Sequence, residues 1–113
     1  MKYQFAIIPY PFDDFSDVKP RPVLCLTEKI GQYNHIVVAM VTTQISKATE
    51  PSDLLLFSTS AAFSETGLRQ DSAIRLHRLL TIKEGSIDQI FGELPEIYRA
   101  DVENRLKSLL ELP

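Results

Sequence analysis

The sequence predicts a single mainly β domain of the α+β type: a small twisted antiparallel sheet or half-open barrel, capped by one C-terminal helix. Three observations indicate this fold class. Several short apolar runs are separated by turn residues, one amphipathic helical segment closes the chain, and the length of 113 residues leaves room for only one hydrophobic core. We therefore expect residues 1–113 to form one domain.

Six short runs have strand character. In chain order they are residues 5–9, 21–26, 35–41, 53–57, 72–76 and 90–94. The first is expected to end at Pro9 and Pro11, because proline lacks the N–H that a strand ladder uses, and to be followed by a polar loop over residues 12–20. The third is the strongest β-branched run and follows a predicted turn at residues 30–34.

The later strands differ in how they meet solvent. Residues 58–63 predict a short turn or a single helical turn, and Gly67 suits the positive φ that would close it. Residues 72–76 alternate apolar and polar side chains, which predicts a half-buried strand with Arg75 on one face. Residues 90–94 predict a short edge strand.

The last segment predicts the helix. Pro95 is expected at the first helical position, where its fixed φ is favourable, and Glu96 adds negative charge near the helix N-terminus. Apolar residues then recur at helical spacing and predict a face that packs on the sheet: Tyr98, Val102, Leu106, Leu109 and Leu110.

Charge is unevenly distributed along the chain. The net charge is −3, from 12 basic and 15 acidic residues, but residues 84–113 alone hold seven acids and three bases. Residues 1–83 are therefore slightly basic, and an anionic partner would bind there, near Lys19, Arg21, Arg69, Arg75 and Arg78, rather than at the acidic helix.

Composition also limits location and chemistry. The single Cys25 excludes a disulfide framework and a cysteine-based zinc site, and we expect it to be a buried apolar side chain. The longest apolar run, residues 36–40, is too short to span a bilayer, and the N-terminus has no apolar leader segment. These features predict a cytoplasmic protein with no membrane contact.

The common catalytic motifs are absent: there is no P-loop, dinucleotide fingerprint, nucleophile elbow or His-Glu-x-x-His pattern. The remaining candidates are polar residues beside strands, namely Lys19, Arg21, Thr42, Thr43, Gln44, Arg75, His77 and Arg78. Pro20 and Pro22 stiffen the backbone around Arg21 and could aim its guanidinium, but the usual role of such a residue is a strand-initiating arginine in a surface ion pair. Threonines at strand ends also make local turn bonds.

His77 is the better of the two histidines as an acid or base. Strand periodicity predicts that it shares a face with Arg75, and imidazole titrates near neutrality. His35, at the start of a buried strand, is expected to be structural.

Together these segments resemble the MazF/PemK/Kid family of toxin endoribonucleases in order and spacing, over essentially the whole chain. The segments that carry the resemblance are Phe12-Asp13-Asp14, Lys19-Pro20-Arg21-Pro22, Val41-Thr42-Thr43-Gln44, Thr66-Gly67-Leu68, Asp71 to Arg75, and Gly92-Glu93-Leu94. Arg21 matches the family's Arg-Pro arginine, Thr42 the threonine of its Thr-x-Gln motif, and Arg75 the second catalytic arginine of the Kid branch. His77 stands where relatives often have an acid.

The resemblance implies an SH3-like barrel and the toxin half of a type II toxin–antitoxin system. It implies a homodimer that binds a cognate antitoxin protein, contacts DNA only through that antitoxin, and cuts single-stranded RNA without a metal or cofactor. Arg21, Thr42, Arg75 and His77 would be catalytic. The RNA-binding residues would be Lys19, Thr43, Gln44, Arg78 and Phe12. Three aromatic residues of the first loop, Tyr10, Phe12 and Phe15, would stack on single-stranded bases or pack against the sheet.

Two other interpretations remain open on the sequence. One is a non-catalytic protein on the same fold, either a degenerate toxin or a gyrase inhibitor of the CcdB type, a group whose chains resemble one another in a Trp-Gly-Ile C-terminus. This chain has no Trp and ends in Leu112-Pro113. The other is a protein-interaction module with no role in nucleic-acid binding.

Overall fold

The structure is a computed structural model that describes residues 1–11 and 18–113. Its six strands are β1 (Gln4–Pro11), β2 (Val18–Cys25), β3 (His35–Thr42), β4 (Asp53–Leu56), β5 (Ser72–Lys83) and β6 (Gln89–Glu93), followed by helix α1 (Arg99–Leu109). All strand pairs are antiparallel, in the order β4-β5-β3-β2-β1-β6. The sheet is curled into a half-barrel, which confirms the predicted mainly β fold.

Alternation along the central strands divides the apolar residues between two clusters. Phe5 and Leu24 belong to one cluster, which also contains Val102 of α1, whereas their neighbours Ala6 and Val23 belong to the other. All four strand residues are fully buried. Because successive side chains point to opposite faces of a strand, both faces of the central sheet are covered. Cys25 lies in the second cluster, as a buried apolar side chain.

The first strand ends at Pro11, the second of the two prolines predicted to end it, and not at Pro9. β1 continues through Pro9 to Pro11, and Pro9 lies opposite Pro20 of β2. The pairing of β1 with β6 stops at Ile7, and that of β2 with β3 begins at Val23. Each proline therefore lies where its strand has one neighbour instead of two, a position that tolerates a missing N–H.

The predicted loop at residues 12–20 is too long. β2 begins at Val18 and ends at Cys25, so residues 18–20 belong to the strand and Leu26 lies just beyond it. Pairing with β1, including Tyr10 with Lys19, extends the strand in spite of its two prolines. Residues 12–17, and with them the expectations for Phe12 and Phe15, lie outside the described residues.

β5 is longer and more buried than the predicted half-buried strand at residues 72–76. Ser72, Ala73 and Ile74 are all buried, because β5 lies between β3 and β4 and its first residues pack on both faces. Its register against β3 shifts once: Ala39 pairs with Leu79, and the next residue, Met40, pairs with Arg75. Residues 76–78 thus form a bulge, a feature that redirects side chains.

The turns and the other strands agree more closely with the sequence. β3, β4 and β6 form where expected, with β6 at an edge of the sheet. Residues 58–62 form turns, followed by a 3₁₀ helix at Phe63–Thr66. Gly67 then adopts the predicted positive φ, 71°.

The C-terminal helix forms, with two differences. Pro95 precedes a 3₁₀ turn at Glu96–Tyr98 in an extended conformation, so it is not the first residue of α1. Val102 is buried, and Tyr98 and Leu106 pack on the first apolar cluster, but Leu109 and Leu110 are exposed. The sheet covers only the first turns of the helix. No helix among residues 1–11 and 18–113 is long and apolar enough to cross a membrane.

Candidate active site

One cavity of about 320 Å³ brings together residues from four strands and the segment after β3. Arg21 of β2 lies opposite Ile8 of β1, and Thr42 is the last residue of β3. Arg75 of β5 pairs with Met40 of β3, and Met40 lies two residues before Thr42 on β3. The side chains of Arg75 and Thr42 therefore point to the same face of the sheet. The residues of its polar lining are Tyr10, Arg21, Thr42, Gln44, Arg75 and Arg78.

The bulge in β5 explains why two arginines from one strand meet here. In a regular strand, Arg75 and Arg78 would point to opposite faces, because they are three residues apart. Residues 76–78 have no partner on β3, and the changed direction of the chain lets both guanidinium groups line the cavity. Arg21 supplies a third arginine from β2. None of the described residues that line this cavity is acidic.

Arg75 is held by a buried carboxylate. Its Nε donates to Oδ1 of Asp53 at 3.0 Å and its Nη2 to Oδ2 at 3.4 Å, across the β4–β5 pair. The Asp53 side chain is 1% exposed and that of Arg75 is 19% exposed. Nη2 also donates to the Lys47 carbonyl at 3.4 Å. The Arg75 guanidinium is thus fixed at the wall of the cavity by several acceptors.

Asp53 stays ionised in spite of its burial. Desolvation alone would raise its pKa, but hydrogen bonds from the Arg75 side chain and the Glu50 backbone, with the charges of Arg75 and His77, hold the pKa of Asp53 below its ordinary value. The backbone N–H of Glu50 donates to Oδ2 at 3.0 Å. Asp53 therefore provides a fixed negative charge behind Arg75.

His77 approaches the same carboxylate but is not part of the cavity lining. Its Nδ1 lies 3.9 Å from Oδ1 of Asp53 and 2.7 Å from the hydroxyl of Ser52. The predicted proximity of Arg75 and His77 is present, since both contact Asp53. However, the described contacts of the imidazole are with Ser52 and Asp53, and it is absent from the described lining of the cavity.

The two threonines of the Thr42-Thr43-Gln44 segment diverge. The Thr42 hydroxyl accepts a hydrogen bond from the backbone N–H of Gln44 at 3.1 Å, the local turn bond considered above. Its own hydrogen can still be donated toward the cavity. Thr43 follows at the next position and lines a different cavity. Gln44 returns to the first cavity and is exposed.

The remaining predicted residues lie around this site. Tyr10 lines the cavity from β1, where it was expected in or near the loop. Lys19 lies opposite Tyr10 on β2, is exposed, and is not in the lining. Arg69 lines the second cavity instead.

Sequence reasoning missed Asp53 and Arg105. Arg105 of α1 donates through Nη1 to the carbonyls of Pro51 at 2.6 Å and Asp53 at 2.9 Å, and through Nε to Asp101 at 2.8 Å. Asp53 opens the apolar run of β4, and an acid at such a position requires a partner when it is buried. The need of a buried acid for a partner could have identified Asp53 from the sequence. Arg105 binds backbone carbonyls, which every residue has, so no sequence pattern indicates its contacts.

The described part of the chain contains no group of three or more His, Cys, Asp or Glu side chains that could hold a metal ion. The basic groups in the cavity are guanidinium groups, which bind phosphate through paired N–H donors. Tyr10 adds an aromatic surface on which an unpaired base could stack. Chemically, the cavity suits a phosphate of a single-stranded nucleic acid.

Solved structures with the same fold are known. The chain superimposes on the Mycobacterium tuberculosis toxin MazF-mt6 with a TM-score of 0.71 and 20% identity, over 96% of this chain and 98% of that one. An endoribonuclease in complex with its cognate antitoxin, from Mycobacterial species, gives a TM-score of 0.73 and 14% identity, over 100% and 96%. A structure described as an endoribonuclease from Mycobacterial species gives a TM-score of 0.72 and 14% identity, over 100% of this chain and 92% of that one.

These identities are low enough that the structures establish only a shared fold. No curated protein sequence matches the chain significantly. The sequence profile of the family described as PemK-like, MazF-like toxin of type II toxin-antitoxin system, in contrast, matches residues 3–110, nearly the entire chain. The chain, with its curled antiparallel sheet and its arginine-lined cavity, therefore belongs to the PemK-like, MazF-like family of type II toxins.

Proposed function

We propose that this protein is a metal-independent endoribonuclease that cleaves single-stranded RNA, mRNA in particular, and thereby inhibits translation and growth. The observation that carries the proposal is the cavity that joins Arg21, Arg75 and Arg78 with Thr42, lined by no described acidic residue. Three guanidinium groups around one space of about 320 Å³ form a strong site for a phosphate, and the family membership directs the proposal to RNA.

In the proposed reaction, the 2′-hydroxyl of one nucleotide attacks the adjacent phosphorus and the 5′-oxygen of the next nucleotide leaves. The products are a 2′,3′-cyclic phosphate, or the 3′-phosphate formed when water opens it, and a 5′-hydroxyl. The 2′-hydroxyl loses its proton to a base and the leaving oxygen gains one. The attacking group belongs to the substrate, so the reaction does not require a metal-bound water.

The cavity residues supply the charge stabilisation that this reaction needs. Arg21 binds the phosphate oxygens as negative charge increases on them, and Thr42 donates its hydroxyl hydrogen to the same phosphate. Arg75, already oriented by Asp53, loses little side-chain entropy when it binds. Arg78, Gln44, Lys19, Thr43 and Phe12 are proposed to bind the RNA on either side of the cleaved bond.

Arg75 and His77 are proposed to share the proton transfers: His77 accepts the 2′-hydroxyl proton through one water and returns it to the leaving 5′-oxygen, while the Arg75 guanidinium stays protonated and hydrogen-bonds the reacting oxygens. Since His77 is outside the cavity lining, we assign the direct contact with RNA to Arg75. The pH profile of His77→Gln tests the remaining part: a proton-transfer role predicts a slower reaction with an altered pH dependence. An unchanged rate and profile would remove His77 from the mechanism.

The central experiment incubates purified protein with long single-stranded RNA in EDTA. The wild type should cleave, and Arg21→Ala and Thr42→Ala should each lose about 10²–10³-fold in rate, the usual effect of removing a group that stabilises transition-state charge. Lys107→Ala and Thr49→Ala are matched controls at exposed positions outside the cavity. Circular dichroism checks that each variant is folded.

Three results would contradict the proposal. Cleavage that requires added divalent metal would reject metal independence. Site variants as active as the wild type would reject the residue assignment. Growth arrest with intact RNA and inhibited gyrase would favour the non-ribonuclease alternative.

We further propose a cytoplasmic homodimer that binds a cognate antitoxin and reaches DNA only through it. One structure of the same fold is described as an endoribonuclease in complex with its cognate antitoxin, which supports the antitoxin association alone. Co-expression with the neighbouring reading frame, followed by purification and light scattering, tests both associations. A monomer that co-purifies with nothing would contradict them.

A further inference from the structure

A second cavity, of about 350 Å³, lies near the arginine-lined cavity but on the opposite face of the sheet. Residues that are adjacent in sequence line the two spaces: Arg21 and Pro22 on β2, and Thr42 and Thr43 at the end of β3. Adjacent Cα atoms are 3.8 Å apart, so the two cavities are separated at these points by little more than the backbone. A single-stranded nucleic acid bound in one cavity can therefore extend around the end of the sheet into the other cavity.

The walls of the second cavity are fixed by close packing. A Cβ atom on Gly67 would overlap the carbonyl oxygen of Phe91, and one on Gly92 would overlap the carbonyl oxygen of Thr66. The turn before β5 therefore packs directly on β6. The buried Thr66 hydroxyl stabilises that turn, since it donates to the Phe63 carbonyl at 2.7 Å and accepts from the Leu68 N–H at 3.0 Å. The cavity is formed before any ligand binds.

Its lining combines a flat apolar surface with amide groups. Phe91 is half-buried and stacks on Phe5, with ring centroids 6.0 Å apart and an interplanar angle of 28°, which fixes its orientation. Gln70 and Gln89 are exposed at the rim and supply both hydrogen-bond donors and acceptors. Arg69 is the one charged group among the described lining residues.

An aromatic surface with amides around it matches an unstacked nucleobase, which is recognised through stacking and through hydrogen bonds to its edges. A bare phosphate would fit the first cavity better, because three arginines line it and one lines the second. We propose that the second cavity binds one nucleobase of the RNA strand whose phosphate occupies the arginine-lined cavity. This inference rests on the proposed ribonuclease function and names a determinant of its sequence preference.

The test measures base preference. Wild type, Gln70→Ala and Gln89→Ala are each incubated with a pool of short single-stranded RNAs of random sequence, and the cleaved ends are sequenced. Loss of one base-edge contact should reduce discrimination at one position by about tenfold, because such contacts distinguish one base from another. Gln32→Ala, an exposed glutamine in the turn before β3, is the matched control and should leave the preference unchanged.

A second measurement separates failure of this inference from failure of the proposed function. The RNA of the same pool is made with 2′-O-methyl ribose, which removes the attacking hydroxyl and prevents cleavage. It also carries 5-iodouridine, which crosslinks to nearby protein residues under ultraviolet light. Crosslinks within residues 67–72 or 89–91 support the nucleobase site even if the protein proves to cleave no RNA. Unchanged preference in both glutamine variants, or crosslinks that lie only elsewhere, would overturn it, as would the absence of RNA binding.

Discussion

Asp53 is contacted by two arginines from opposite sides, and the two contacts differ in kind. Arg75, on the cavity side, binds the carboxylate of Asp53, whereas Arg105, on the helix side, binds the backbone carbonyls of Pro51 and Asp53. The Asp53 carboxylate orients the Arg75 guanidinium and also neutralises part of its charge. The carbonyls orient the Arg105 guanidinium without adding a negative charge beside it. The same residue type therefore orients a candidate catalytic group on one side and attaches a helix on the other.

Replacing Arg75 should have the largest effect. Arg75→Ala should reduce RNA cleavage by about 10²–10³-fold, because it removes a cation at the phosphate. It should also lower the free energy of unfolding by about 3 kcal/mol, because the buried Asp53 charge loses its partner. Urea denaturation and the cleavage assay measure the two losses separately.

The double variant Asp53→Ala/Arg75→Ala distinguishes the two causes. Removal of the orphaned carboxylate should restore much of the stability and none of the cleavage. If cleavage returns with stability, Arg75 has only a structural role and the distinction between the two arginines fails.

Arg105→Ala should affect stability without affecting chemistry. The substitution removes two hydrogen bonds to carbonyls and one to Asp101, so we expect the free energy of unfolding to fall by about 1–3 kcal/mol. Cleavage measured well below the melting temperature should be unchanged. A loss of activity as large as that of Arg75→Ala would mean that the helix controls the site.

The charge of Asp53 should appear in the pH dependence of stability. Its pKa in the folded protein is lowered, so the stabilisation is fully present above its ordinary pKa, near 4, and is lost as the pH falls through the folded value. Thermal melts of the wild type should therefore show a decline at acid pH that is smaller in Asp53→Asn. Asp71→Asn is the control. Asp71 accepts a hydrogen bond from the Ser58 N–H and lines neither cavity, so the decline at acid pH that Asp53 causes should remain in this variant. Equal declines in wild type and Asp53→Asn would contradict this account.

The smallest effect is expected for Asp101→Asn. Asp101 and Arg105 form an i,i+4 ion pair with side chains that are 42% and 32% exposed, and such pairs contribute no more than about 0.5 kcal/mol. Arg105 keeps its bonds to the carbonyls of Pro51 and Asp53. A loss as large as that of Arg105→Ala, by urea denaturation, would show that Asp101 determines the orientation of Arg105.

Local patterns were sufficient to predict most of the strands. The β-branched run at residues 35–41 became β3 almost unchanged, and the positive φ of Gly67 followed from the lack of a side chain. Local rules failed where neighbouring strands decided the outcome. Pro9 was tolerated because the pairing of β1 with β6 stops at Ile7, two residues before it. Leu110 was left 54% exposed because the sheet does not extend beneath it.

The site followed the same division. Residue types and their order identified Arg21, Thr42 and Arg75 as candidates, and the structure brings all three to one cavity. Thr42, the last residue of β3, and Thr43, the residue after it, line different cavities, and the bulge in β5 brought Arg78 beside Arg75. No spacing rule within one segment could predict the partner of Arg75, because Asp53 lies 22 residues away on another strand.

By itself, the sequence determined the fold class, the basic character of residues 1–83 and the set of polar residues from which a phosphate site could be built. These properties depend on composition and short-range periodicity, which each segment carries alone. Only the tertiary structure decided which arginines share a cavity, which carboxylate holds one of them, and where a second cavity opens. Those outcomes depend on strand register and on buried charge, which exist only after distant segments have paired.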